Sequence, residues 1–258
     1  MAPVKGLLID LDGVMYVDNT PIAGAIDTIA ILQRQGLAIR FLTNTSTRSL
    51  QSLWQKLHGM GLNIGKEQIF SSPAAAVGFL QQRQYKKVRL LLDDDVKQDF
   101  SHFQINEDTP DAIVLGDIGD RWNYDLLNGV FRQVIAGSEM VFLHRNRFWQ
   151  TGQGLNLDIG AFAAALEYAT GKKAHIMGKP SREFFQLVLD DMGLTADQAV
   201  MIGDDIDSDI GGAQALGVPS LLVKTGKYRE EVAKRSPVRP DAVLDSIAGL
   251  PQWLEQRS

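Results

Sequence analysis

Cysteine is absent from all 258 residues. Without thiols the chain cannot carry a disulfide framework, a cysteine-ligated zinc or iron–sulfur site, or a thiol nucleophile. It also lacks any apolar run approaching the roughly 18 residues of a membrane-spanning helix. No basic arm or Lys/Arg tract is present, and 26 Lys and Arg stand against 31 Asp and Glu for a net charge of −5. The concentrated positive field that favours a phosphate backbone is missing, so neither nucleic acid nor a membrane is expected as a partner. Met1-Ala2-Pro3-Val4-Lys5 leads into a short apolar run rather than the longer segment of a signal peptide, and a cytoplasmic protein is expected. The chain contains 45% hydrophobic and 22% charged residues, a balance that excludes disorder and supports one large domain or two moderate ones.

Strand and helix signals alternate at both ends of the chain. Val4 to Ile9 is a short apolar run stopped by Asp10 and Gly13. Ile22, Ile26 and Ile29 recur at helical spacing, Gly36 closes that helix, and Ile39 to Leu42 reads as the next strand. Leu50, Leu53, Trp54 and Leu57 outline a second helix ending near Gly59 and Gly61. Near the other end, Phe184, Phe185, Val188 and Met192 mark a helix, and Ala199 to Ile202 a strand. Ile210 to Leu216 reads as a short helix, Ser220 to Val223 as a strand, and Leu244 to Leu254 as a final helix. This alternation predicts an α/β fold, a parallel sheet flanked by helices and split between two halves of the chain. The middle has its own strand candidates at Val88–Leu92, Ala112–Leu115 and Met140–Leu143. Its helical stripes run through Leu126 to Val134 and Phe162 to Ala169. The expected division is a core of residues 1–82 and 174–258, with a smaller domain of residues 83–173 inserted.

Polar chemistry gathers where these predicted strands end. Asp10-Leu11-Asp12-Gly13 follows the first strand directly. Carboxylates at that edge of an open α/β sheet point into its crevice, and two acids one residue apart can divide nucleophilic attack and proton transfer. Thr43-Asn44 ends the second strand and can donate a hydroxyl and an amide to a phosphoryl group, although this segment equally suits helix capping. Lys179, in Gly178-Lys179-Pro180-Ser181, precedes a helix and can neutralise a phosphate and a neighbouring Asp. Gly203-Asp204-Asp205 follows another strand, with Asp207 and Asp209 behind it. So many carboxylates in one loop repel unless a cation joins them, and hard oxygen ligands suit magnesium. The spacing lacks the terminal Glu of an EF-hand.

In order and content these four motifs resemble the haloacid dehalogenase superfamily, in its phosphatase branch. The long insertion resembles the α/β cap of the second cap class. Gly154 to Gly160, Ala165-Leu166-Glu167-Tyr168-Ala169, Gly211-Gly212-Ala213-Gln214 and Lys224-Thr225-Gly226-Lys227-Tyr228 extend the likeness. They resemble the subgroup of phospholysine phosphohistidine inorganic pyrophosphate phosphatases and related hydrolase-domain proteins. Asp12 departs from the animal members of that subgroup, which often carry serine there. Instead it resembles the nucleotide and pyridoxal phosphate phosphatases of the same cap class. His144-Arg145-Asn146-Arg147 stands where broader relatives often have Asn-Pro-Asp.

The resemblance implies magnesium-dependent hydrolysis of a small phosphorylated metabolite through an aspartyl-phosphate. Asp10 would be the nucleophile and Asp12 the general acid and base. Thr43 and Lys179 would bind the phosphoryl group, and Asn44 would fix the geometry. Asp10, the Asp12 carbonyl and Asp204 would hold the metal, with Asp209 behind them and Asp205 sharing that task. From their own position, just after the predicted Met140–Leu143 strand, Arg145 and Arg147 suit recognition of an anionic leaving group, and equally suit a solvated surface. A homodimer is the family expectation. Phosphoamidase or inorganic pyrophosphatase activity remains the enzymatic alternative, a dehalogenase a remoter one, and noncatalytic binding of a phosphate ligand the non-enzymatic one.

Overall fold

The structure, a computed structural model, describes residues 3–151 and 154–256. Met1 and Ala2, on which part of the N-terminal reading rests, lie outside them. The chain forms two compact units. One comprises Met1–Thr43, Trp54–Phe70 and Lys179–Ser258, and the other Asn44–Leu53 and Ser71–Gly178. No helix among the described residues is long and apolar enough to cross a membrane.

The first unit is built on a six-stranded sheet. Its order is Ala242–Leu244, Ser220–Val223, Ala199–Gly203, Gly6–Asp10, Ala38–Thr43 and Ile69–Ser71. The first five of these strands run parallel. Leu7, Leu8 and Ile9 are wholly buried, as are Phe41, Met201 and Leu221, which is why these segments read as largely apolar runs, broken in Ala38–Thr43 by Arg40. Burying each such side chain contributes about 1.5–3 kcal/mol before chain entropy is counted. Gly6–Asp10 lies at the middle of the sheet. The next strand in sequence pairs on one side of it and the late strands on the other. That reversal leaves a crevice at the carboxyl ends, where ligands of open α/β sheets bind.

The second unit has a five-stranded sheet in the order His175–Ile176, Glu139–Phe142, Ala112–Leu115, Lys87–Leu91, Gln104–Ile105, all parallel. The helices Tyr124–Ala136 and Ile159–Thr170 supply Val130, Val134, Ala163 and Leu166 to a core shared with Ile113, Leu115, Met140 and Phe142. Phe148–Thr151 and Gly154–Leu157 form an antiparallel pair.

Two expected elements differ. The expected helix over Leu244–Leu254 begins later, because Leu244 closes the strand Ala242–Leu244 and only Leu250–Glu255 is α-helical. The expected helix at Ile210–Leu216 is instead a π-helical stretch over Ile206–Gly211 followed by one α-turn at Gly212–Gln214. Asp205 starts that stretch early, since its Oδ1 accepts the main-chain N–H groups of Asp207 and Ser208, each at 3.0 Å.

Candidate active site

Asp10 is the last residue of the central strand and is 5% exposed. Its Oδ1 accepts the Leu11 N–H at 2.8 Å and the Lys179 ammonium at 2.6 Å. Lys179 also pairs with Asp209 Oδ1 at 2.7 Å, so one buried cation bridges two buried carboxylates. The strand Ala199–Gly203 delivers Asp204, which is 1% exposed. Asp209 turns back on that loop, where its Oδ2 accepts the N–H groups of Asp204 at 3.2 Å and Asp205 at 3.1 Å. Gly203 makes this return possible, because a Cβ there would overlap the Asp209 side chain.

The charges do not balance internally. Burial raises the Asp10 carboxyl well above its ordinary value, and repulsion from Asp209 raises it further, against the lowering effect of Lys179. Burial also pushes Asp204 up to about 6, although the Lys227 N–H favours its charged form. For Lys179, burial opposes the charge, but Asp10 and Asp209 outweigh it and hold the ammonium above its ordinary range. Asp10, Asp204 and Asp209 each offer an oxygen within 4.8 Å of the others. Asp204 Oδ1 is buried and accepts no hydrogen bond from the described residues. A buried acceptor without a donor is unfavourable, and a bound cation would satisfy it. The donor set, all hard oxygen, therefore fits a divalent ion such as magnesium or calcium.

Asp12 is half-buried, and its Oδ2 accepts the Tyr16 hydroxyl at 3.2 Å. Thr43 is buried at the end of the adjacent strand, one residue beyond Leu42, the register partner of Asp10. The structure thus brings Asp10, Lys179, Asp204 and Asp209 together and places Asp12 and Thr43 at the same edge of the sheet. Asn44, Arg145 and Arg147 belong to the second unit. There Asn44 is half-buried, and Arg147 is exposed. Arg145 donates to Glu167 Oε2 at 2.6 Å, and Glu167 is itself buried. Asp205 caps the π-helical turn.

Tyr16 and the loop Thr225–Lys227 are site residues that the motif reading did not assign. Thr225 Oγ1 donates to the Gly13 carbonyl at 2.5 Å, and the Lys227 N–H donates to Asp204 Oδ2 at 2.6 Å. The available signal was positional, since Lys224 to Tyr228 directly follows a predicted strand of the same parallel sheet.

Known proteins resemble this chain in sequence and in fold. The family described as haloacid dehalogenase-like hydrolase matches residues 7–106, and the HAD-hydrolase-like family matches residues 176–250. The human phospholysine phosphohistidine inorganic pyrophosphate phosphatase is 38% identical over 96% of this chain and 93% of its own. Human haloacid dehalogenase-like hydrolase domain-containing protein 2 is 38% identical over 88% of this chain and 86% of its own. Among solved structures, the p-nitrophenyl phosphatase from Archaeoglobus fulgidus superposes with a TM-score of 0.88 at 27% identity, over 97% of this chain and 99% of that one. The chain belongs to the haloacid dehalogenase-like hydrolases. Its α/β fold is that of the family's capped phosphatases.

Proposed function

We propose that this chain is a magnesium-dependent phosphatase that hydrolyses a small phosphomonoester through a phosphorylated Asp10. The observation that carries the reading is the arrangement about Asp10. It is a buried carboxylate at the central strand end, held by Lys179 and adjoined by two further carboxylates. Asp10 attacks phosphorus, and the leaving oxygen departs with a proton from Asp12. Asp12 then removes a proton from the water that attacks the acyl-phosphate, and inorganic phosphate and free Asp10 result. The Tyr16 hydroxyl holds the Asp12 carboxyl in place for both transfers. Lys179 and Thr43 bind the transferring phosphoryl group, and Asn44 sets the geometry of that loop. Asp10, Asp204 and the Asp12 carbonyl would hold the ion, with Asp209 and Asp205 behind them. When bound, it supplies the positive charge that lets two anions meet.

In this reading residues 83–173 are the inserted cap domain of the family, and residues 1–82 and 174–258 its core. The cap limits access to small substrates and excludes water during reaction. Arg145 and Arg147 contribute recognition of a second anionic group on the leaving group. The enzyme works in the cytoplasm, and it pairs as a homodimer; the exposed Tyr124, Ile135 and Tyr168 of the second unit support the pairing. Light scattering that reports a monomer at every concentration would contradict the dimer.

A second reading, phosphoamidase or inorganic pyrophosphatase activity, is favoured by the human relative whose name gives phospholysine, phosphohistidine and inorganic pyrophosphate. The acid at Asp12 favours the monoester, because an alkoxide leaving group needs a proton more than a protonated amine does. The deciding experiment is a phosphate-release screen of sugar phosphates, nucleotides, pyridoxal phosphate, phosphoglycolate, pyrophosphate and phosphohistidine, with kcat/KM for each. A monoester is expected to rank first. Asp10→Asn should abolish turnover, and Asp12→Asn should slow it by about 10²–10⁴. Folded phosphoproteins outranking every small compound would overturn the capped-site reading.

A further inference from the structure

The strand Ser220–Val223 ends in a loop that touches two other strand-end motifs at once. Thr225 Oγ1 donates to the Gly13 carbonyl, so it grips the peptide chain immediately after Asp12. Two residues on, the Lys227 N–H donates to Asp204 Oδ2. The residue between them is Gly226, at φ +60°, and a Cβ there would overlap both Asp204 Oδ2 and the Gly13 Cα. Gly13 mirrors it at φ +87°, and a Cβ at Gly13 would likewise overlap the Asp204 carboxylate. The carboxylate of Asp204 is therefore packed between two glycine backbones. Its Oδ2 is pinned by a main-chain donor, while its Oδ1 is buried without one.

We propose that Thr225, Gly226 and the Lys227 main chain form a positioning latch for the metal centre, which sets the Asp12–Gly13 backbone and the Asp204 carboxylate in one geometry before the ion arrives. This inference rests on the metal reading given above and adds residues to it. The physical logic is preorganisation. A carboxylate with one oxygen pinned presents the other in a fixed direction, and a carbonyl chain gripped at Gly13 holds the preceding Asp12 carbonyl. The ion then meets ligands already in place, and the ordering entropy is not charged against its binding. Outer partners of this kind typically change metal affinity by about 10–100-fold when removed. None of the three touches the reacting atoms, so Thr225 is a positioning residue.

The test compares Thr225→Val, which keeps the shape and loses the hydroxyl, with Thr225→Ser, which keeps the donor. Magnesium affinity is measured by calorimetry on substrate-free protein, and circular dichroism and thermal melting verify folding. Thr225→Val should weaken magnesium binding by about 10-fold. Thr225→Ser should stay within about twofold of wild type, the margin allowed for its smaller side chain. In kinetics, the magnesium concentration for half-activation should rise in Thr225→Val by more than kcat at saturating magnesium falls. Should Thr225→Val fail to fold, Thr225→Ala removes the same hydroxyl and is subject to the same expectation. Native folding with unchanged magnesium affinity in the hydroxyl-free variant overturns the latch, and so does equal impairment of the serine and valine variants. The wild type is the internal reference. If it binds no magnesium and remains active in EDTA, the metal reading fails. If it binds magnesium normally and the variant does too, only the latch fails.

Discussion

Lys179 carries a charge into the protein interior, where Asp10 and Asp209 lie at 2.6 and 2.7 Å. Removing one partner from a buried ionic group leaves the others uncompensated and costs about 3–5 kcal/mol. Lys179→Met should therefore lower the free energy of unfolding by roughly that amount in urea titrations. Adding Asp209→Asn should recover part of the loss, because one fewer carboxylate is then left unpaired. Equal stability of the single and double variants would show that Asp209 does not share the charge. Arg145 makes a contrasting case. Its half-exposed guanidinium meets the buried Glu167, which keeps a second donor in the Ala174 N–H at 3.0 Å. Arg145→Ala should cost only about 1 kcal/mol, the low end for an orphaned buried acceptor. Arg147→Ala, at an exposed position, should leave the melting temperature unchanged. Substrate ratios for Arg145→Ala are thus interpretable only beside its melting curve.

The acidic loop after Ala199–Gly203 opens on a titrating carboxyl, that of Asp204. In metal-free protein the Asp204 carboxyl is raised from 3.8 to about 6. Its protonated form is the favoured one, so its contribution to stability is fully present below pH 3.8 and is lost as pH rises through about 6. A divalent ion needs the ionised form and competes with that proton. The rise in melting temperature on adding magnesium should therefore be small at pH 5 and grow through pH 6 toward a plateau. A pH-independent rise would contradict the placement of the ion at Asp204. Much of this loop was legible in the sequence. An apolar run ending in Gly203-Asp204 announced a strand, and of the acids crowded behind it the structure gathers Asp209 with Asp204 and Asp10. The π-helical turn was not legible, because hydrophobic spacing alone does not reveal that the Asp205 carboxylate accepts the main-chain N–H groups that start the turn. Nor was the Lys227 N–H on Asp204, since a main-chain donor leaves no trace in residue identity.

At the scale of the molecule, the parallel core sheet could be read from Val4–Ile9, Ile39–Leu42, Ala199–Ile202 and Ser220–Val223, all long enough to show an apolar run. Its edge strands Ile69–Ser71 and Ala242–Leu244 are three residues each, too short for any periodicity, and were found only in the structure. The same holds for His175–Ile176 at the edge of the second sheet. Strand order was equally hidden, and it is this order that puts Asp10 at the sheet's switch point. The whole account depends on Asp10 becoming phosphorylated, and one measurement addresses that directly. Asp12→Ala removes the base that clears the intermediate, whereas p-nitrophenyl phosphate has a leaving group that needs no acid. With magnesium present, the variant should release nitrophenol in a burst of about one equivalent, the stoichiometry of a trapped covalent intermediate. Peptide mapping after acid quench should then find one phosphoryl group on the peptide that contains Asp10. Nitrophenol released with matching free phosphate and an unmodified Asp10 peptide, or a phosphoryl group on another residue, would contradict the account.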